Sequence, residues 1–311
     1  MNLIRIGTRG SKLALWQANF IAEKLLRGGW NTRIVTIDTR GDKILDVSIA
    51  KIGSKGVFTE EIEEELLEGG IDIAVHSAKD LQSDLGEDFE IVAFTEREDA
   101  RDVLISDSKF SLNENVTVGT SSTRRTALIK HYYPNFKIVP VRGNLQTRLR
   151  KMEEGVCDAL LLAWAGVHRM GYGERVRHKL SMEEFVPPVG QGTVAVECAR
   201  GLSPKIKQAI RKLVNDPETE YCLKAERAFL RELEGGCSIP VFCHAVVKDG
   251  QIHMDGGIVS LDGQSMIRRQ ENGPFEMGEE MGKRLAEQVL TSGGKEILED
   301  VRRQINSGES K

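Results

Sequence analysis

The sequence predicts an α/β protein with a smaller α+β unit at its C-terminal end, on three observations. Through the first 200 residues, short apolar runs of strand length alternate with amphipathic helical patterns. Loops rich in glycine and polar residues separate them, and repeated strand–loop–helix units of this kind build layered, mainly parallel sheets. After Pro217 the pattern changes: a long helix is followed by strand-like runs broken at Asp249-Gly250 and Asp262-Gly263. Both dipeptides suit hairpin turns and imply a three-stranded antiparallel sheet.

Taken in order, Leu3–Ile6 reads as the first strand, and Leu13–Leu26 as an amphipathic helix stopped by Gly28-Gly29. Thr32–Asp38 is the next strand. Phe58–Leu67 is a helix with Ile62 and Leu66 on one face and a solvated glutamate face opposite. Ile71–His76 alternates cleanly, with Ile71, Ile73 and Val75 on one side. Val116–Val118, Ile138–Val141 and Ala159–Leu162 are further strands, and the last leads into a short helix ending at His168-Arg169. Thr193–Cys198 is a strand. A helix over 217–234 carries Cys222, Ala225, Phe229 and Leu233 along one stripe, and helices at about 275–290 and 294–305 close the chain. Two segments interrupt this order: the charged stretch Glu96-Arg97-Glu98-Asp99-Ala100-Arg101-Asp102, and Val186-Pro187-Pro188-Val189-Gly190-Gln191-Gly192. Each reads as a crossing between structural units, the first as a hinge.

The chain has 311 residues, enough for two or three cores. It has no apolar run of membrane-spanning length and no signal-peptide pattern at its start, so a cytoplasmic protein is expected. Its five cysteines (157, 198, 222, 237, 243) are odd in number, widely spread and without a C-x-x-C pair, which argues for reduced thiols. Cys237, Cys243 and His244 have a C-x5-C-H spacing outside the usual structural zinc pairs, so no metal is expected. Gly53-Ser54-Lys55-Gly56 lacks the Walker spacing, which leaves a nucleotide site without support. Net charge is only −4, which excludes bulk attraction to nucleic acid, but residues 115–152 hold eight Lys or Arg and no Asp or Glu. A basic region within a mildly acidic chain reads as an anion site.

In open α/β sheets ligands sit beyond the carboxyl ends of the strands. Those ends carry Arg9 and Ser11, then Lys79 and Asp80, then Thr120, Ser121, Ser122, Arg124 and Arg125, then Arg142, Gly143 and Arg148, and finally Arg169. Such groups bind anions, and arginine matches a carboxylate with two parallel bonds. A single arginine there would be an ordinary surface ion pair; five cationic loops together imply a ligand with several carboxylates or phosphates. Asp80 is the exception. It is either a helix cap or a carboxylate kept ionised to serve a cation or a reacting N–H. Cys237 follows Glu234-Gly235-Gly236 and precedes Ser238-Ile239-Pro240. Its loop is either a plain helix C-cap or the presentation of a nucleophilic thiol.

These segments resemble the porphobilinogen deaminase family over essentially the whole chain. The landmarks are Thr8-Arg9-Gly10-Ser11-Lys12-Leu13-Ala14-Leu15-Trp16-Gln17, Thr39-Arg40-Gly41-Asp42, Val75-His76-Ser77-Ala78-Lys79-Asp80, Gly119-Thr120-Ser121-Ser122-Thr123-Arg124-Arg125, Val141-Arg142-Gly143-Asn144, Thr147-Arg148-Leu149, Val189-Gly190-Gln191-Gly192 and Glu234-Gly235-Gly236-Cys237. The resemblance implies two lobes like those of periplasmic binding proteins, 1–95 plus 193–214 and 98–189, with the cleft between them, and a third domain over 216–311 bearing the cofactor cysteine. It implies that Cys237 holds a dipyrromethane cofactor through a thioether, and that four porphobilinogens are added head to tail with loss of ammonia before hydrolysis releases hydroxymethylbilane. Asp80 maps onto the family's catalytic aspartate, which would stabilise pyrrole N–H groups and the azafulvene cation. Arg9, Ser11, Arg124, Arg125, Arg142, Arg148 and Arg169 match carboxylate-binding positions, and Lys79, Thr120, Ser121, Ser122, Gly143 and Gln191 join them as cofactor- and substrate-binding candidates. Lys55 and Phe58 match a mobile loop over the cleft. The sequence departs from the family pattern at Ser54, Ala78, Leu81-Gln82, Thr123 and Phe242-Cys243-His244. The expected partner is the small molecule porphobilinogen, with no nucleic acid and no membrane, and the expected state is a monomer. A noncatalytic two-lobed anion-binding protein would explain the arginine loops and hinges, but neither Cys237 on its glycine loop nor the third unit.

Overall fold

The computed structural model describes residues 3–43, 59–236 and 238–307. The first lobe is built on a five-stranded sheet of order β2-β1-β3-β10-β4: β1 (Leu3–Arg9), β2 (Asn31–Ile37), β3 (Ile73–Ser77), β4 (Phe89–Phe94) and β10 (Val194–Ala199). β1 runs parallel to β2 and β3, while β10 is antiparallel to both its neighbours, β3 and β4. The second lobe repeats the plan in the order β7-β6-β8-β5-β9, with β5 (Asp102–Ile105), β6 (Thr117–Gly119), β7 (Lys137–Val139), β8 (Ala159–Ala163) and β9 (Val176–Lys179). Here β5 is the antiparallel strand. In each lobe the reversed strand is the first one reached after the chain crosses from elsewhere, which is how two otherwise parallel sheets come to be joined by two short crossings. The third sheet, β11 (Val241–Lys248), β12 (Gln251–Val259) and β13 (Met266–Gly273), is antiparallel in the order β11-β12-β13.

Helix α1 (Lys12–Arg27) begins at Ser11, whose side chain accepts from the Ala14 N–H, and buries Gln17, Ala18, Ile21 and Leu25 against the first sheet. A four-residue helix α2 (Arg40–Lys43) follows β2, and α3 (Glu60–Leu67) buries Ile62 and Leu66 as its sequence pattern requires. The second lobe adds α4 (Thr123–Tyr132), α5 (Leu145–Glu153) and α6 (Trp164–Arg169). Beyond β10 come α7 (Pro204–Val214), α8 (Pro217–Glu232), α9 (Gly278–Val289) and α10 (Lys295–Ser307). The expected stripe on α8 is buried: Cys222, Ala225, Phe229 and Leu233 pack with Met281, Leu285 and Val289 of α9 over β11 and β12.

Several boundaries differ from the sequence reading. β1 extends to Arg9, because Gly7, Thr8 and Arg9 continue the parallel register with Val35, Thr36 and Ile37, so Arg9 stands on a strand end, not in a loop. β3 starts at Ile73, and the start of α3 moves to Glu60. Several elements are additional to those placed from the sequence, among them β9 and α7. The residues of β9, Val-Arg-His-Lys, lack strand alternation and are held by pairing with β5; α7 begins on a Ser203-Pro204 start signal. Asp249 and Gly250 both have positive φ (52° and 71°), as a two-residue hairpin turn of the expected type demands.

Candidate active site

Asp80 and Lys79 come from a single 3-10 turn, Ala78–Asp80, at the carboxyl end of β3. Two contacts fix this turn. Gln17 Nε2 of α1 donates to Ser77 Oγ at 2.8 Å. Gly190, on the second crossing, lies so close that a Cβ there would sit 2.8 Å from the Ala78 carbonyl carbon and 2.9 Å from Lys79 N. Its φ of +77° is a further reason for glycine. Ala78, one of the departures from the family pattern, is buried beneath this crossing with Leu81, Phe94 and Leu223. Asp80 itself is exposed, with no hydrogen-bond or ion-pair partner among the described residues. The Lys79 ammonium donates to Gln191 Oε1 at 3.2 Å, and burial, followed by the field of Arg125, pulls its pKa down to about 8.

The second lobe faces this turn with two helix starts. After β6, Thr120 Oγ1 accepts from Ser122 N (3.2 Å), and Ser122 Oγ caps α4 by accepting from Arg125 N (3.4 Å). Between them the Ser121 hydroxyl is buried without a partner among the described residues. After β7, Arg142 leads to Gly143, whose φ of +112° turns the chain; Asn144 then caps α5 through the Thr147 N–H (3.0 Å). A Cβ on Gly143 would come within 2.6 Å of Thr147 Cγ2. Arg148 Nε donates to the Gly143 carbonyl at 2.7 Å. Burial lowers the Arg148 pKa to about 10; Arg125 and Arg142 act in the same direction and Asp80 opposes them. Lys79, Asp80, Arg125, Arg142 and Arg148 therefore lie in one electrostatic neighbourhood spanning both lobes.

Arg124 and Arg125 point inward. Arg124 Nη2 donates to Asp102 Oδ2 (2.5 Å) and Nη1 to the Val186 carbonyl (2.9 Å). Arg125 gives Nη2 and Nε to Asp102 Oδ1 (2.7 and 3.1 Å) and Nη1 to the Leu161 carbonyl (3.1 Å). Gln191 Nε2 also donates to Asp102 Oδ1 (3.0 Å). Although burial opposes ionisation, the two guanidiniums hold the Asp102 carboxyl far below the usual carboxylate range. Arg169 sits farther along the interlobe edge: it donates to the Gly192 carbonyl (2.7 Å), and its guanidinium carbon lies 5.3 Å from the centre of the Trp16 ring. Arg9 and Ser11 occupy the end of β1 and the start of α1. Lys55, Phe58 and Cys237 lie outside the described residues.

Sequence reasoning missed Asp102 and Glu226. Asp102 is fully buried at the start of an apolar strand, Asp-Val-Leu-Ile, and an acidic residue heading so apolar a run was the available signal. Glu226, on the buried stripe side of α8, accepts from Arg97 Nη1 (2.7 Å), Gly190 N (2.9 Å) and Ala245 N (2.8 Å), so that one carboxylate ties both crossings to the third sheet. The four described cysteines, 157, 198, 222 and 243, are buried and unbridged. Burial raises every one of these thiols, Cys198 to about 11 and Cys222 to about 12, which makes them poor nucleophiles at neutral pH.

Comparison with known proteins gives consistent matches. Residues 4–206 match the family model "Porphobilinogen deaminase, dipyromethane cofactor binding domain", and residues 220–291 match "Porphobilinogen deaminase, C-terminal domain". The porphobilinogen deaminase of Cytophaga hutchinsonii is 54% identical over 306 residues, covering 97% of this chain and 98% of the relative. That of Desulfosudis oleivorans is 50% identical over 305 residues, with the same coverage of each. Among solved structures, the second substrate-binding domain of a putative amino acid ABC transporter from Streptococcus pneumoniae aligns with 68% of this chain and 91% of its own, at 14% identity and a TM-score of 0.43. On its sequence, matched by both family models and by relatives of up to 54% identity, the chain belongs to the porphobilinogen deaminase family.

Proposed function

We propose that this chain is a transferase that joins four porphobilinogen molecules head to tail, with loss of ammonia, on a dipyrromethane anchored by Cys237, and releases hydroxymethylbilane by hydrolysis. The observation that carries the reading is the juxtaposition of a free carboxylate, Asp80, with Lys79, Arg142 and Arg148 across one cleft. Each pyrrole of such a chain bears two carboxylates, and guanidiniums with spare N–H groups are what hold them.

The residues present fit the cofactor. The buried, unpartnered Ser121 hydroxyl lacks a hydrogen-bond partner that a carboxylate would supply, and Arg142 has no ion-pair partner among the described residues. When bound, the dipyrrole supplies the nucleophilic pyrrole carbon to which the first substrate is joined. Arg142, Arg148, Ser121, Ser122 and the start of α4 hold its carboxylates, with Arg9, Ser11 and Arg169 serving the lengthening chain and Arg124, Arg125, Thr120, Gly143 and Gln191 shaping the wall. Asp80 accepts pyrrole N–H bonds and offsets positive charge at the reacting carbon; its exposure at the strand end leaves it open to substrate. The family resemblance makes Cys237 the anchor, and the burial and raised pKa of each of the four described thiols accord with that. The division into lobes 1–95 plus 193–214 and 98–189 and a unit over 216–311 belongs to the same reading and follows the three sheets. So does a cytoplasmic monomer, with the unbridged cysteines supporting a reducing compartment. Arg124 and Arg125, turned onto Asp102, are withdrawn from any nucleic-acid surface.

The test is the intact mass of the purified protein beside that of Cys237→Ser. The reading expects an excess of two porphobilinogens less two ammonias, absent from the variant. An unmodified mass in both, from cells that make porphobilinogen, would refute it.

A further inference from the structure

Asp102 starts β5 where the chain leaves its first crossing, and its carboxylate is fully buried. Its oxygens accept four hydrogen bonds: three from Arg124 and Arg125 and one from Gln191 Nε2. The other end of the Gln191 amide accepts from Lys79 Nζ at 3.2 Å. One relay thus begins in the second lobe, passes through the second crossing and ends in the first lobe on the neighbour of Asp80. Two adjacent buried guanidiniums repel each other, so their side-by-side placement needs a counter-charge between them. The remaining bonds to the Val186 and Leu161 carbonyls leave that placement no freedom. At the far end, Lys79 is held on Gln191 and makes no ion pair with adjacent Asp80.

We propose that Asp102 is the positioning residue of the cleft: it sets Arg124 and Arg125 side by side and, through Gln191, keeps the Lys79 ammonium off the Asp80 carboxylate. Asp80 is thereby left open to substrate. This role rests on the transferase reading above, and it assigns Asp102 no contact with the reacting atoms.

Two variants test it with the full-length protein. Gln191→Leu cuts the relay to Lys79 and leaves both arginine–Asp102 pairs in place. Its expected signature is a kcat lowered about tenfold or more with KM for porphobilinogen changed less than about threefold, because a step at the reacting carbon is affected more than binding. The cofactor mass should be complete; the melting temperature should fall, because the buried Asp102 and Ala100 oxygens each lose a bond from Gln191 Nε2. Asp102→Asn removes the counter-charge; it should lose cofactor mass or raise KM about tenfold or more, and Asp102→Glu should restore part of the loss. If Asp102→Asn does not fold, Gln191→Leu decides the matter. A modified, active wild type whose kcat and KM are matched by Gln191→Leu overturns the role of Asp102 alone. An unmodified, inactive wild type overturns the transferase reading and this role with it.

Discussion

Acidification should loosen the joint between the first crossing and the third sheet, through His244. This ring lies on β11 and is 9% exposed. Its Nδ1 is 2.7 Å from Arg97 Nη1. A guanidinium only donates, so Nδ1 accepts and carries no proton. Protonation there would break this bond and set two cations against each other; Glu226 Oε1, 3.7 Å from Nδ1, is already engaged by Arg97. Burial, followed by the Arg97 charge, pulls the imidazole from 6.5 down to about 3, against a smaller opposing effect of Asp99. The unfolded chain therefore binds a proton below 6.5 that the folded chain refuses until about pH 3. The associated stability is fully present above 6.5 and is lost as pH falls through this window. At about pH 5 the loss reaches about 2 kcal/mol. His244→Asn keeps an acceptor for Arg97 and removes the titration. Urea unfolding followed by circular dichroism at about pH 7.5 and pH 5 should show the wild type losing about 2 kcal/mol relative to the variant. An unchanged difference between the two proteins would refute this account of the joint.

Three further outcomes are expected. Asp80→Asn should keep the fold but lower kcat about 10²–10⁴-fold, since an amide cannot offset developing positive charge, and a wild-type rate in a porphobilinogen assay would remove Asp80 from the chemistry. His76→Ala should cost about 1–3 kcal/mol in urea unfolding, because it removes a buried ring whose Nε2 lies 3.0 Å from Oε2 of the fully buried Glu197. A loss below about 1 kcal/mol would show that the contact with Glu197 adds nothing to stability. Gly190→Ala should lower the melting temperature by several degrees, on the order of 1–3 kcal/mol, since neither its φ of +77° nor the 2.8 Å approach to Ala78 admits a methyl group; an unchanged melting temperature would show that the crossing yields freely.

Much of this was legible in the sequence, and the boundary between what was and what was not follows the range of the interactions. Strands and helices came from apolar periodicity, a local signal, and the cap residues Ser11, Ser122 and Asn144 stand where their helices begin. Cationic groups at strand ends could be read because strand ends are where an open sheet collects its ligands. Their pairing could not. A run of eight basic residues without an acid between 115 and 152 suggested uniformly free charge, yet Arg124 and Arg125 are neutralised by Asp102, more than twenty positions upstream. The same holds for Arg97, whose partner Glu226 is 129 residues away. β9 escaped for a related reason: its residues carry no alternation, and pairing with β5 alone makes it a strand.

The joints between the three sheets differ in kind, and the difference bears on which of them can move. The third sheet shares apolar cores with its neighbours. Phe242 and Val259 are buried among Leu104, Val118, Leu128 and Phe185 of the second lobe, and Leu223 of α8 is buried with Ala78, Phe94 and Ala195 of the first. Along the cleft the contacts named above are polar instead: Lys79 on Gln191 and Arg169 on the Gly192 carbonyl join each lobe to the second crossing, and Arg169 lies against Trp16 of the other lobe. Apolar contact that must be exposed to water resists opening at about 25 cal/mol for each Å², whereas a polar contact that exchanges for bonds to water resists it by only about 0.5–1.5 kcal/mol. The cleft is therefore the weak joint and the third sheet the fixed one. For the proposed growing chain, with two carboxylates per ring, this arrangement would let the walls part while Glu226 keeps both crossings tied to the third sheet.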